Sequence, residues 1–302
     1  MSAYQKILVV INPHSDNQDA LYRGVFLAEK FNCQLVLASA VYDSSYDMPK
    51  LLNSNQRELL KQRVLDAQHE RLQEYASPFS QLSNVLYKVV WHKHFHRGIV
   101  KLAKTENVDL IIKAAKNHDK LSQRLFTPSD WHILRHSHAN VLMVKHHEMP
   151  EGGNIVCAIS LEDKDEQHEC LSDEVSLAAN AFAKVMAGQL CISNSFIGAP
   201  VHISIEVPQF DPQTYNSNVE LRRKNLINKL CDKHALNNTK HYVMEGLPED
   251  TIPQLCSQLN AELLVLGSVG RKGIKAALLG NTAEHIIDKI GCDTLVVKPK
   301  TP

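Results

Sequence analysis

The sequence predicts an α/β protein of two tandem domains, each built on a doubly wound, five-stranded parallel sheet. Two observations lead to this fold. Short apolar runs, of the kind that form strands buried on both faces, alternate with helical patterns, which is typical of a parallel sheet with right-handed crossovers. The same order of strands and helices then occurs again in the second half of the 302-residue chain.

The first half starts with an apolar strand and a turn-rich loop, Asn12–Asp19, that leads into a helix. The predicted strands are Lys6–Ile11, Gln34–Val41, Asn84–Trp91, Asp109–Ala114 and Val141–Lys145. The predicted helices are Ala20–Phe31, Asn55–Tyr75, Arg97–Thr105 and one that starts near Ser129.

The segment Glu148–Gly153 is the predicted linker, because Pro150 and two adjacent glycines interrupt both periodicities. The domains are therefore expected at 1–149 and 150–302. In the second half the predicted strands are Asn154–Ile159, Gln189–Ser193, His241–Met244, Leu263–Leu266 and Thr294–Lys298. Four helices are predicted between these strands: one that ends near Ala187, one over Asn216–His234, one that runs from Ile252 toward the fourth strand, and one that follows Gly280. Val108–Lys113 matches Ala261–Leu266 in residue type, and Asn140–Lys145 matches Asp293–Lys298.

The composition excludes several classes of protein. Thirty-three basic residues balance thirty-three acidic ones, so no net field would recruit nucleic acid or a membrane surface. No apolar run approaches the roughly 20 residues that span a bilayer. Seven cysteines without a Cys-x-x-Cys pair indicate a reducing compartment. Because no signal peptide precedes the first strand, we expect a cytoplasmic protein.

The stretch Glu262–Lys298 carries the clearest functional pattern. A buried strand ends at Gly267, a glycine-rich loop follows, and a helix begins after Gly280. A glycine at the strand end allows a close approach of backbone or ligand. Asn281 is the predicted N-cap, with Glu284 three residues on, close to a capping box. The free N–H groups of such a helix start can bind an anion.

The spacing Gly267-x2-Gly270-x9-Gly280, followed by a small polar residue, resembles that of the universal stress protein family. The resemblance covers the whole chain and is to the tandem, two-domain members. It implies an adenine-nucleotide α-hydrolase-like fold and a protein that aids survival under starvation, oxidative or DNA-damaging stress, by binding and regulation. It also implies that the terminal strands of the two halves pair as an internal pseudo-dimer, with further dimerisation open.

In nucleotide-binding members of that family the last glycine is followed by Ser or Thr, and an Asp after the first strand contacts the adenine. Here Asn281 and Ser160 stand at these positions. The resemblance implies ATP as the candidate ligand, with weakened selectivity for the base. The predicted nucleotide-binding residues are Ser160, Gly267, Ser268, Gly270, Arg271, Lys272, Gly280, Asn281 and Thr282.

The backbone N–H groups of Gly270, Gly280, Asn281 and Thr282 are expected to face the anion. A side chain at position 280 would fill this cradle and strain any positive φ there. The alternative is that the glycines only permit a tight strand-to-helix connection. The matching segment of the first half, Lys113–Asp130, contains no glycine, so we expect it to bind no nucleotide.

Other patterns are weaker. His92, His94 and His96 alternate after the third strand, and His132 and His136 are four apart on a helix; either spacing permits zinc, but no cysteine or paired carboxylate completes a set. We therefore predict surface histidines and no metal.

Pro200–Pro208 is an edge strand, a lid or one wall of an apolar pocket, so an apolar ligand or a protein partner is the alternative to a nucleotide. A slow ATPase ranks last, because the sequence offers no visible base or metal ligand.

Overall fold

A computed structural model of the chain describes residues 3–12, 18–47, 53–79, 84–115, 126–145, 152–161, 166–199, 210–268 and 279–299. The chain divides into two compact units, Met1–His146 and His147–Pro302. Within the described ranges no helix combines the length and the hydropathy needed to cross a membrane. The predicted segment Pro200–Pro208 lies outside these ranges.

The first unit is a parallel sheet with helices between successive strands. Its elements are β1 (Lys6–Val10), α1 (Asp19–Phe31), β2 (Gln34–Val41), α2 (Ser54–Ala76), β3 (Val85–Trp91), α3 (Phe95–Thr105), β4 (Leu110–Ala114), α4 (Pro128–His136) and β5 (Asn140–Val144). The strands lie in the order β3-β2-β1-β4-β5, and every pairing within the unit is parallel. This confirms the predicted doubly wound fold.

The second unit repeats this arrangement. Its elements are β6 (Asn154–Ala158), α5 (Glu166–Val185), β7 (Gln189–Phe196), α6 (Pro212–His234), β8 (Lys240–Glu245), α7 (Pro248–Gln258), β9 (Ala261–Gly267), α8 (Asn281–Lys289) and β10 (Asp293–Val297). The order is β8-β7-β6-β9-β10, again parallel throughout. α5 and α6 pack against each other, as do α7 and α8.

The central strands explain why the sequence shows continuous apolar runs. Ile7–Val9 of β1, Leu110–Ile112 of β4 and Leu263–Val265 of β9 are all fully buried. Helices cover both faces of such a sheet, so alternation of polar and apolar residues is lost. The outer strands β3 and β8 are only half-buried along most of their length.

Several elements extend beyond their predicted bounds, and α6 and β7 show the local reasons. α6 starts four residues before the predicted Asn216 because Asp211 caps it, accepting hydrogen bonds from the N–H groups of Gln213 and Thr214. β7 continues past Ser193 through Asn194 and Ser195, which pair with Val243 and Met244 of β8. The sequence did not predict this extension because polar residues interrupt the apolar pattern at the carboxyl end of β7.

Gly24 makes a testable contact between α1 and the sheet. A Cβ atom at position 24 would lie 2.1 Å from Cγ2 of Val9 in β1. Overpacking of this kind costs about 1–3 kcal/mol, so Gly24→Ala is expected to lower the midpoint of chemical denaturation. The control is Gly291→Ala, since a Cβ atom there meets nothing within 4 Å. Equal stability of the two variants would contradict the contact.

Candidate functional site

A cleft of about 560 Å³ lies in the second unit, at the carboxyl ends of β6, β7 and β9. Side chains from α5, α6, α7 and the first turn of α8 complete its walls. In open parallel sheets ligands bind at this edge, and the volume falls within the range of small-molecule sites, about 300–1,000 Å³. A cavity of about 200 Å³ in the first unit lies instead between α1, α2 and the neighbouring strands.

The predicted site residues divide into three groups. Ser160, Gly267 and Thr282 line the cleft. Ser268, Gly280 and Asn281 lie at the β9–α8 connection beside it, where the Gly280 N–H donates to the Ser268 carbonyl at 2.9 Å. Gly270, Arg271 and Lys272 lie outside the described residues.

Gly267 is explained by packing. A Cβ atom at this position would lie 2.7 Å from Cδ2 and 3.0 Å from Cγ of Leu171 in α5. Its φ does not lie in the left-handed region. The glycine therefore lets α5 approach the end of β9, and this close approach forms one side of the cleft.

The start of α8 differs from the prediction in three ways. Gly280, not Asn281, is the N-cap, because its carbonyl accepts the first helical hydrogen bond from the Glu284 N–H at 3.0 Å. Its φ is −71°, so the strain that a side chain would suffer at a positive φ does not arise, and any residue can adopt this backbone. Its N–H is already bonded to Ser268, so it does not face a ligand.

The first-turn N–H groups of α8 remain for a ligand. No side chain caps this helix, and in the described part of the chain no acceptor binds the N–H of Asn281, Thr282 or Ala283. The Ser268 hydroxyl is also without a hydrogen-bond partner there, although Ser268 is 1% exposed. Donors left without acceptors at the positive end of a helix favour an anion.

Several cleft residues were not predicted from the sequence. Tyr215, Val219, Arg222 and Arg223 all line the cleft from α6. Their spacing of i, i+4, i+7 and i+8 marks one helical face, which the sequence could have revealed. Arg223 donates through Nη1 to the carbonyl of Leu161, just after β6. The two guanidinium groups make this wall of the cleft positive.

The carbonyl groups at the end of β6 are also held by side chains. The Ser172 hydroxyl donates to the carbonyl of Ser160 at 2.8 Å. Nδ2 of Asn194 donates to the carbonyl of Ile159 at 2.9 Å, and Asn194 is buried in the cleft wall. Buried polar groups that are satisfied in this way fix the local backbone. The floor of the cleft is therefore rigid where Ser160 lies.

In the first unit, the start of α4, which corresponds to α8, carries a carboxylate of its own, that of Asp130. Thr127 caps α4, and Oδ2 of Asp130 accepts from the Thr127 N–H at 2.7 Å and from its hydroxyl at 2.8 Å. Oδ1 of Asp130 lies 2.5 Å from Nζ of Lys113 at the end of β4, and Asp130 is fully buried. The Thr127 hydroxyl accepts from the Asp130 N–H at 3.3 Å, which corresponds to the Ala283 N–H of α8, and Pro128 at the first helical position has no N–H group.

Comparisons with known proteins agree with this duplicated architecture. The profile of the universal stress protein family matches residues 3–145 and 201–298. The chain is 36% identical over 301 residues to universal stress protein E of Escherichia coli K12, covering 99% of this chain and 95% of that relative. The chain belongs to the universal stress protein family.

Two solved structures share the fold of this universal stress protein. A functionally unknown protein of Pseudomonas aeruginosa PAO1 matches with a TM-score of 0.73 and 24% identity, covering 99% of this chain and 94% of that one. A universal stress protein of Archaeoglobus fulgidus matches with a TM-score of 0.58 and 14% identity, covering 97% and 96%. The chain is thus a stress-response protein of the family's tandem type.

Three of the predicted histidines, His96, His132 and His136, lie together in this universal stress protein. His96 and His132 place their ring centroids 4.3 Å apart, and His132 and His136 place theirs 4.0 Å apart. Across the described ranges, no three His, Cys, Asp or Glu side chains are arranged to hold a metal ion.

The role of Gly267 can be tested by a double-mutant cycle. Gly267→Ala is expected to destabilise the protein by about 1–3 kcal/mol, because its Cβ atom would overlap Leu171. Leu171→Ala removes that overlap, so the second substitution should cost less in the Gly267→Ala background than in the wild type. Additive free energies of unfolding would show that packing against Leu171 does not explain this glycine.

Proposed function

We propose that the second unit binds one adenine nucleotide, with its phosphates at the start of α8, and that the protein acts as a binding and regulatory module in the stress response. The observation that carries this proposal is the set of three first-turn N–H groups that have no acceptor among the described residues, beside the buried Ser268 hydroxyl. Such a set matches the oxygen atoms of a phosphate group.

The rest of the cleft supports a nucleotide. Phosphates at α8 would lie at the end of β9, so the ligand would extend across β6 toward β7, two strand spacings or about 10 Å away. Phe196 and Ile252 offer apolar surface for a base on that side. Arg271 and Lys272 are proposed to add charge at the phosphates.

Selectivity for the base is expected to be low. Ser160 replaces the carboxylate expected from the family, and its carbonyl already accepts from Ser172. A lost hydrogen bond to a charged group is worth about 1.5–3 kcal/mol. ATP and GTP should therefore bind with similar affinity.

An amphipathic ligand is the second candidate. Ile197, Tyr215 and Leu247 line the cleft and are 61%, 43% and 45% exposed. Apolar side chains grouped at the rim of a concave site favour contact with an apolar group. A long-chain acyl anion would place its carboxylate at the same N–H groups, so competition between oleate and ATP separates the two ligands.

Two further expectations stay predictions: the pairing of the terminal strands of the two halves as an internal pseudo-dimer, and a cytoplasmic location. The domain boundary near residue 150 has the same standing.

The main test transplants the capping box of α4 onto α8. Gly280→Thr with Ala283→Asp should reduce the affinity for ATP and pyrophosphate at least about tenfold, because the threonine hydroxyl takes the N–H of residue 283 and the introduced carboxylate repels phosphate. The same pair should raise the melting temperature, since an N-cap contributes about 0.5–2 kcal/mol. Isothermal titration calorimetry and thermal melts measure both effects.

Gly280→Val and Gly291→Ala complete the set. The backbone at position 280 accepts valine without strain, so Gly280→Val should fold normally and bind more weakly, whereas Gly291→Ala should bind like the wild type. If the wild type gives no heat with ATP, GTP or pyrophosphate, or if the capped variant binds equally well, the helix start is structural only.

Stoichiometry tests the assignment to one unit. Since Asp130 occupies the start of α4, titration of the full chain should saturate at one ATP per chain. Two equivalents, with one lost in the capped α8 variant, would show that the first unit also binds.

A further inference from the structure

Five histidine rings form a continuous chain on the surface of the first unit. His92 follows β3, His94 and His96 lie at the start of α3, and His132 and His136 lie on α4. Successive ring centroids are 6.1, 6.0, 4.3 and 4.0 Å apart, in that order along the chain of rings. The two shortest steps join α3 to α4 and then continue along α4, so the rings form part of the contact between these helices.

The hydrogen bonds of this histidine chain fit neutral rings. Nδ1 of His92 accepts from the His94 N–H at 3.0 Å, so that nitrogen carries no proton. Nδ1 of His136 lies 3.0 Å from the carbonyl of His132, to which it can only donate. Nδ1 of His96 lies 3.4 Å from the Ser129 hydroxyl, a pairing that a neutral ring can also make.

Burial and neighbouring cations oppose protonation of the inner rings. Burial lowers the pKa of His132 from 6.5 to about 4, with His136, His96 and Arg97 adding to the effect. Burial, followed by His94 and Arg97, also lowers the pKa of His96. His96 lies in the first turn of α3, where the helix dipole disfavours a positive charge.

Carboxylates near the histidine chain are bound to other cations. Asp130 at the start of α4 pairs with Lys113. Asp47 pairs with Lys93, between His92 and His94. At the far end of α3, Glu106 pairs with Lys88 and Lys6. Arg135 of α4 lies over the Trp131 ring at 5.6 Å, and β2, which also packs on α3, contributes no titratable side chain.

We propose that the histidine chain is an acid-responsive contact: neutral rings hold α3 and α4 together near pH 7, and their protonation as the pH falls toward 4 drives the two helices apart. Like charges on rings about 4 Å apart repel each other, and no free carboxylate among the described neighbours compensates them. This inference concerns the first unit and is independent of the ligand proposed for the second.

The direction of the pH effect follows from the lowered pKa. Between pH 6.5 and about 4 the unfolded chain binds a proton at position 132 more strongly than the folded protein does. The contribution of the neutral His132 ring to the free energy of unfolding is therefore fully present above about pH 6.5 and is lost as the pH falls toward 4. A difference of 2.5 pH units corresponds to roughly a 300-fold weaker proton affinity in the folded protein.

The test compares melting temperatures of the full chain at pH 7.5 and pH 5.0. We expect the wild type to lose at least about 3 °C more between these pH values than His132→Asn or His96→Asn. The control is His138→Asn, an exposed histidine beyond α4 and outside the chain of rings. It should lose as much as the wild type. Equal losses in all four proteins would overturn the proposal.

Two local measurements cover the case in which a variant fails to fold. The protein has two tryptophans, so Trp91→Phe leaves Trp131 of α4 as the sole tryptophan. Its emission at 25 °C, below the melting transition, should change as the pH falls from 6.5 to about 4. NMR titration of the wild-type histidine rings should place His132 well below 6.5. Constant Trp131 emission, or five rings that all titrate near 6.5, would exclude an acid-responsive contact.

Discussion

Backbone N–H groups at the start of a helix have no carbonyl within that helix to accept them, and the helix after the fourth strand of each unit faces this constraint at the edge where ligands bind. The two halves meet it differently. In α4 the Thr127 and Asp130 side chains take the positions of an anion, and Lys113 neutralises the buried carboxylate. In α8 no side chain of the described residues does so, and the first turn of this helix lies at the cleft. Duplication has thus produced one closed and one open copy.

The sheet could be predicted from the sequence because central parallel strands must be apolar on both faces. Ile7–Val9 and Leu263–Val265 are fully buried, and their runs are visible without any structure. The duplication was visible for the same reason. Element ends were less predictable, since Asp211 extends α6 through a cap that propensity does not report. The apolar pattern of the sequence therefore predicts the fold, whereas single hydrogen bonds determine where individual helices and strands begin and end.

The site could be predicted only in part. The glycine spacing located the cleft, but it could not reveal that Gly267 makes room for Leu171 or that Gly280 has an ordinary φ. Those facts depend on partners distant in sequence or on the path of the backbone. Thr127 and Asp130 form a capping pattern that is visible in the sequence, three residues apart before an apolar helix face. The Lys113–Asp130 pair requires β4 and α4 to be placed side by side.

The open helix start of α8 has a consequence for the lifetime of the protein. A half whose helix start is capped by its own side chains gains no stability from a ligand there, whereas a half that binds an anion at this position, as proposed for α8, gains stability from the bound ligand. Occupancy at 100 times the dissociation constant adds about 2.7 kcal/mol. Proteases act on transiently opened chains, so bound ligand would slow degradation of the second half alone. The amount of this protein in a cell would then follow the concentration of its ligand, with no change in synthesis.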